Sequence, residues 1–315
     1  MRTAPPVYRC SRRHVLAVLC ALPLNLYFAP LAMGSVAGPL QGDALQAELA
    51  KLEAASGGRL GVASQLGADG KIMSYRGAER FPMCSTFKTL AAAAILRDKP
   101  QLLGQRIRFA KGDIQPWSPI TEKHLHDGLT VAELCAAMLQ HSDNTAANLI
   151  LAQLGGPQGL TNFARSIGDT TFRLDRWEVE LNSALAGDER DTTTPLAMYS
   201  TLQTLLCGKL LPEPARKQLT IWMLGCATGA GRIAAAAPKG WQVAHKSGSG
   251  DNGTANDIGL LLPPDKAGSR SAPLVMSIYL TGSKLTGSDN DKIIASAAGL
   301  LCAAEGLARP NDNMY

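Results

Sequence analysis

The sequence predicts an α/β fold of the segregated (α+β) kind: an antiparallel sheet flanked by N- and C-terminal helices, with an all-helical domain inserted and an active site between the two. Three observations carry this. Near the start, Arg59 to Leu66 and Lys71 to Tyr75 read as strands joined by the turn Gly67-Ala68-Asp69-Gly70. In the last third, Trp241 to Lys246, Thr254 to Leu262 and Pro273 to Leu280 read as strands between Gly, Pro and Asp turns. Helical spacing fills the middle. Strands adjacent in sequence and joined by short turns pair antiparallel, and segregated rather than alternating elements argue against a parallel sheet.

Before the first helix stands an export signal. Arg2, Arg9, Arg12 and Arg13 precede an apolar run from Val15 to about Leu31, and Ser35-Val36-Ala37 has the small-x-small pattern of a cleavage site. Residues 1–37 are therefore expected to be removed. Pro23, Asn25 and Pro30 interrupt the run, which argues against a retained membrane span. Ser11-Arg12-Arg13 also resembles a twin-arginine signal. Losing four arginines and no acids takes the formal charge from +5 to +1. A nearly neutral mature chain gives no basis for binding nucleic acid or a charged membrane surface. The expected compartment is the periplasm, or the exterior where there is no outer membrane, and the expected state is a monomer without stable membrane association.

The elements follow in order. Asp43 is placed to cap a helix from Ala44 to Ser56, where Leu45, Leu49 and Leu52 recur and Gly57-Gly58 stop it. After the first two strands, Cys84-Ser85-Thr86-Phe87-Lys88 opens a helix through Leu96, ended by Asp98-Lys99-Pro100. A loop from Gly112 to His126 centres on Pro116-Trp117-Ser118-Pro119. Its His124-x-His126 pair points apart on a helix and has no third ligand, so no metal site is expected. Thr130-x-x-Glu133 is a capping box for the next helix. Another helix runs from Thr145 to Leu154 and stops at Gly155-Gly156-Pro157. From Gly168 to Pro195 there is charge but little periodicity, as in a functional loop. Helices are expected from Pro195, from Pro214 to Leu224, and from Asp289 to Leu307 with a cap near Ser288. The domain reading is 38–77 with 225–309 as one discontinuous α/β domain, and 78–224 as the helical domain.

Five cysteines follow the signal: Cys84, Cys135, Cys207, Cys226 and Cys302. With an odd count and no Cys-x-x-Cys, they indicate neither a disulfide scaffold nor a zinc site.

The chemistry concentrates at Ser85-x-x-Lys88. On a helix these side chains share a face, so a hydroxyl and an amine occupy one small site. A serine becomes nucleophilic when a base takes its proton, and burial can lower a lysine enough for it to serve. Unsatisfied N–H groups at the helix start would favour a developing oxyanion. Three further signals follow in order: Ser142-Asp143-Asn144, Glu178-x-x-x-Asn182 and Lys246-Ser247-Gly248. This ordered set, spanning nearly the whole mature chain, resembles the class A serine β-lactamases.

The resemblance implies a cofactor-free, two-step acyl transfer that opens the cyclic amide of β-lactam antibiotics. Ser85 would attack the lactam carbonyl, passing its proton to Lys88 or, through a water, to Glu178. Glu178, helped by Asn182, would activate the water that hydrolyses the ester, and Ser142 would relay a proton to the lactam nitrogen. Backbone N–H groups of Ser85 and Ser249 would form the oxyanion hole. Lys246, Ser247 and Ser249 would hold the substrate carboxylate, with Gly248 beside them in the substrate-binding strand, Asn144 would meet the substrate's side-chain amide, and Trp117 would wall the pocket. Where relatives carry an arginine after Lys-Thr-Gly this chain has Ala255, and Arg232 looks like the substitute. Arg176 and Asp191 resemble the ion pair that closes the family's Ω-loop, here near 173–191. The peptide after the glutamate, often cis in the family, is Glu178–Val179, and its state is open from sequence.

Some positions depart from the family. Cys84 beside the nucleophile resembles carbapenem-hydrolysing members, but the position of its expected partner is Gly250, and the position that would pair with Cys135 is Ala92. Neither bridge is expected, and carbapenem turnover is not inferred. The competing readings are a penicillin-binding DD-peptidase, against which Glu178 and Asn182 argue, and a non-hydrolysing β-lactam sensor.

Overall fold

The computed structural model describes residues 42–66, 70–264 and 272–307. The expected signal at 1–37 and the turn residues Gly67–Asp69 lie outside the described residues.

Five strands form one sheet: β1 (Arg59–Leu66), β2 (Lys71–Tyr75), β3 (Gln242–Gly250), β4 (Thr254–Leu262) and β5 (Leu274–Thr281). Their order is β2-β1-β5-β4-β3, and every neighbouring pair is antiparallel. Opposite sheet faces feed separate cores because successive side chains alternate. Val62 and Ile278 join a core with Leu45 and Leu49 of helix α1 (Asp43–Ser56) and Ile294 and Leu301 of α8 (Gly287–Ala304). Ala63 and Tyr279, one residue further along, join Phe87, Leu90 and the helical block. Being covered on both faces, β5 is buried at every position, which accounts for a strand that is apolar except at Ser277 and Thr281.

The helical block is built around α2 (Lys88–Asp98), buried from Lys88 to Leu96. Its Ala91–Ala94 stretch leaves the backbone thin, so neighbours approach from all sides, and a helix apolar all round belongs in a core. Around it lie α3 (Val131–Gln140), α4 (Asn144–Leu154), α5 (Gly156–Ser166), α6 (Pro195–Leu202) and α7 (Glu213–Leu224).

Several sequence expectations need correction. Asp43 lies inside the first turn of α1; the cap is Gly42, without a side-chain bond. Ser288 likewise lies inside α8, whose cap is Thr286. Gly156-Pro157 does not leave the helical block but begins α5, since proline at the first turn gives up no helical hydrogen bond. Helix α4 begins at Asn144 rather than Thr145, and Asp143 caps it by accepting the Ala146 N–H at 2.8 Å. The Thr130–Glu133 capping box forms as expected.

Candidate active site

Ser85 occupies a 3-10 turn, Cys84–Phe87, that runs straight into α2 at Lys88. The sequence predicts an α-helical turn here. The tighter coil preserves the key consequence, because residues three apart eclipse one another in a 3-10 helix. Cys84 enters this turn at φ 45°, a costly conformation for a residue with a Cβ. Trp117 (φ 61°) and Ser142 (φ 59°) share that region of backbone space, so unfavourable geometry collects around Ser85.

Glu178 is the hub. Its Oε1 lies 3.5 Å from Ser85 Oγ and 2.9 Å from Lys88 Nζ, while Oε2 accepts the Asn182 amide at 2.6 Å. Lys88 and Glu178 side chains are both fully buried. Burial pushes the Lys88 ammonium below its ordinary value, and the Glu178 charge opposes that fall. Lys88 Nζ also donates to Ser142 O at 2.8 Å, Asn144 Oδ1 at 2.7 Å and, more weakly, Ser142 Oγ at 3.4 Å. From Ser142 Oγ the network continues to Lys246 Nζ at 3.1 Å. Four sequence signals thus meet in one hydrogen-bonded chain.

Beyond it stands the edge of the sheet. β3 is an outermost strand, so its free edge offers backbone donors to the cleft. Gly248 lets that edge close on the nucleophile turn: a Cβ there would stand 2.9 Å from Met83 O and 3.3 Å from Ser85 N. Lys246 Nζ donates to Ser247 O at 2.8 Å. Burial, with Lys88 close by, pushes Lys246 down to about 8, against the pull of Cys226. Ser247 Oγ lies 2.7 Å from Thr228 Oγ1.

Arg232 reaches this wall but is more committed than the sequence suggests. It is only 7% exposed and bonds Asp291 at 2.6 Å, Gly248 O at 2.7 Å, Asn256 O at 2.8 Å and Ser249 Oγ at 2.8 Å. One N–H on Nη2 is left for anything else. Asn144 is similarly occupied, with Oδ1 on Lys88 and Nδ2 donating to Pro116 O at 2.8 Å. Trp117 is 66% exposed, with its indole N–H on His141 O at 3.0 Å.

The loop bearing Glu178 is closed by Arg176 and Asp191, 2.6 Å apart. Asp191 is buried and also accepts the N–H groups of Asp175 and Arg176. The Glu178–Val179 peptide is cis. Cys84, Cys135, Cys207 and Cys226 are free thiols. A Cβ on Gly250 would stand 2.6 Å from Cys84 Sγ, so glycine leaves that sulfur its room.

Sequence reading missed the supports. Asn148 clamps the Glu178 backbone, accepting its N–H at 3.0 Å and donating to its carbonyl at 2.9 Å. Its place one turn after Asn144 on α4 was the available signal. Asp143 binds Ile120 N and Thr121 N at 3.0 and 2.9 Å, fixing the loop after Trp117. Thr228 and Asp291 carried no signal. Among the described residues no cluster of three His, Cys, Asp or Glu side chains is arranged to hold a metal, and no helix is long and apolar enough to cross a membrane.

Comparison with known proteins identifies the family. The model of the β-lactamase enzyme family matches residues 44–304. The β-lactamase OXY-1 of Klebsiella oxytoca is 48% identical over 299 residues, 94% of this chain and 98% of that protein. The carbapenem-hydrolysing β-lactamase KPC of Klebsiella oxytoca is 47% identical over 94% of this chain and 97% of its own length. The solved class A β-lactamase of the last common ancestor of Gram-negative bacteria superposes with a TM-score of 0.79 at 52% identity, covering 83% of this chain and 99% of that one. With family model, relatives and fold in agreement, the chain belongs to the class A serine β-lactamases, which hydrolyse β-lactams.

Proposed function

We propose that Ser85 is the acylating nucleophile and Glu178 the base that turns the acyl-enzyme over. The observation that carries this is the shared oxygen: Ser85 Oγ and Lys88 Nζ both approach Glu178 Oε1, at 3.5 and 2.9 Å. A hydroxyl beside a lysine and carboxylate has a route for its proton. Lys88, lowered by burial, accepts it directly, or Glu178 accepts it through a water. Ser142, hydrogen-bonded to both lysines, delivers a proton to the departing lactam nitrogen. The N–H groups of Ser85 and Ser249 receive the oxyanion, each contributing about 3 kcal/mol. Asn182 Oδ1, buried with no protein partner, is an acceptor suited to a water held beside Glu178.

Substrate binding follows from the opposite wall. Lys246, Ser247 and Ser249 hold the β-lactam carboxylate. Arg232 steadies Gly248 and Ser249 and has one N–H left for the anion. The remaining Asn144 amide hydrogen meets the substrate's side-chain amide, and Trp117 covers it. Residues 38–77 and 225–309 form the α/β domain around a 78–224 helical domain; strands from both chain ends in one sheet support this. Export on residues 1–37, leaving a monomer in the periplasm, completes the reading.

Steady-state nitrocefin hydrolysis by the purified protein tests it. Many turnovers per enzyme are expected; one equivalent bound and held would point to a DD-peptidase or sensor instead.

A further inference from the structure

One face of the β3–β4 ribbon carries a buried imidazole–carboxylate pair that the acyl-transfer chemistry does not use. In the antiparallel register Ser247 stands opposite Asp257 and His245 opposite Gly259, so His245, Ser247, Ser249 and Asp257 share that face. His245 Nδ1 lies 2.9 and 3.0 Å from the two Asp257 oxygens, and neither side chain is more than 4% exposed. Glycine at 259 makes the room: a Cβ there would stand 2.7 Å from His245 Cα and 2.9 Å from its Cβ. Burial alone would lower the His245 imidazolium. The Asp257 carboxylate opposes this and, ahead of a smaller pull from Cys226, raises it to about 10, so the ring is charged near neutral pH.

A carboxylate this deeply buried is costly unless a counter-charge and hydrogen bonds satisfy it. Besides the imidazole, Asp257 Oδ2 accepts the Ile233 N–H at 3.1 Å. That N–H opens the 3-10 turn Ile233–Ala236 and has no acceptor within the turn itself. The residue before it is Arg232, whose Nη1 donates to Gly248 O at 2.7 Å and whose Nη2 donates to Ser249 Oγ at 2.8 Å. Four residues earlier, Thr228 Oγ1 meets Ser247 Oγ at 2.7 Å. The segment 228–233 is thus pinned to one face of the ribbon at Ser247, Ser249 and Asp257, and the third anchor ends on a buried ion pair.

We propose that His245 and Asp257 are positioning residues for substrate capture: the pair fixes the Ile233 N–H and so holds Arg232 against Gly248 and Ser249. Asp257 supplies the acceptor, and His245 supplies the charge that keeps it a carboxylate inside the core. Without that cation Asp257 must take up a proton or draw in water, and either weakens its hold on Ile233. Arg232 then loses the backbone anchor that aims its side chain along the ribbon. The proposal rests on the reading of this wall as the site of the substrate carboxylate, so its effect falls on binding and leaves Ser85, Lys88 and Glu178 in place.

Steady-state nitrocefin kinetics on the full mature chain test this. His245→Asn and Asp257→Asn should each raise KM about five- to tenfold, with kcat within about twofold of wild type. The double variant leaves a neutral amide pair and no unbalanced buried charge, so KM should return to within about threefold of wild type. In an Arg232→Ala background, His245→Asn should change KM by less than about twofold, because the pair acts through that arginine. Losses of equal size with and without Arg232, or a lower kcat at unchanged KM, would overturn the assignment, as would single variants indistinguishable from wild type. Hydrogen exchange of the Arg232 Nε–H, followed by NMR, reads the pair without turnover. In the nearly isosteric Asp257→Asn it should be at least about tenfold faster than in wild type, and equal rates refute the proposal. A wild-type protein that turns over no nitrocefin would refute the β-lactam reading alone and leave the exchange measurement to decide the pair.

Discussion

Two lysines are buried in one cleft, both reach Ser142, and they differ in what balances them. Lys88 has a carboxylate at 2.9 Å. Lys246 has only neutral oxygens, Ser142 Oγ at 3.1 Å and Ser247 O at 2.8 Å. A buried charge without a counter-charge is costly, so each pairing state carries information. Lys88 is already neutralised and can exchange a proton with Glu178 or Ser85 without binding anything. Lys246 has no carboxylate among its hydrogen-bond partners, the place that the proposed function gives to the substrate's carboxylate. On the proposed function, the difference separates proton handling from substrate capture within a few ångströms.

The largest effect should come from removing the group that the paired side serves. Ser85→Ala is expected to abolish adduct formation and lower kcat by on the order of 10⁴ or more, read by stopped-flow and intact mass. Next, Lys88→Ala should slow acylation by about 10²–10⁴ with substrate affinity little changed, measured as the single-turnover acylation rate. Lys246→Ala should act on the other side, lowering kcat/KM about 10- to 100-fold mainly through KM. An analogue esterified at its carboxylate should lose little by that change; an equal loss would erase the distinction between the lysines. The smallest effect is in pH. Since Lys246 in the fold is lowered to about 8, it loses its proton as pH rises through that value, and kcat/KM should fall about twofold at pH 8 and steadily beyond. Lys246→Arg should move that limb to higher pH, because a guanidinium stays charged.

Much of this was legible in the chain because local rules govern it. Strands β1, β2 and β4 stand where alternation and turn residues place them. The Thr130 box and the stop at Gly155 follow from unsatisfied backbone groups at helix ends. What was not legible depends on through-space partners. Ser85-x-x-Lys88 shows that hydroxyl and amine share a face, but not that a carboxylate 90 or more positions later lies between them. Nor can sequence show that Arg232 spends most of its donors on Asp291, Gly248 and Asn256. Asn148, Thr228 and Asp291 act by holding other residues, and such roles leave no local pattern. Helix α5 was missed for a local reason: glycine and proline read as a stop where they began another helix.

The role of Glu178 in deacylation is decided by its removal. Incubate Glu178→Ala and the wild-type protein with a penicillin and follow intact mass with time. The variant is expected to accumulate a stable adduct of one drug mass on Ser85 while the wild type returns to its free mass. A variant adduct that disappears as fast as in the wild type would contradict it.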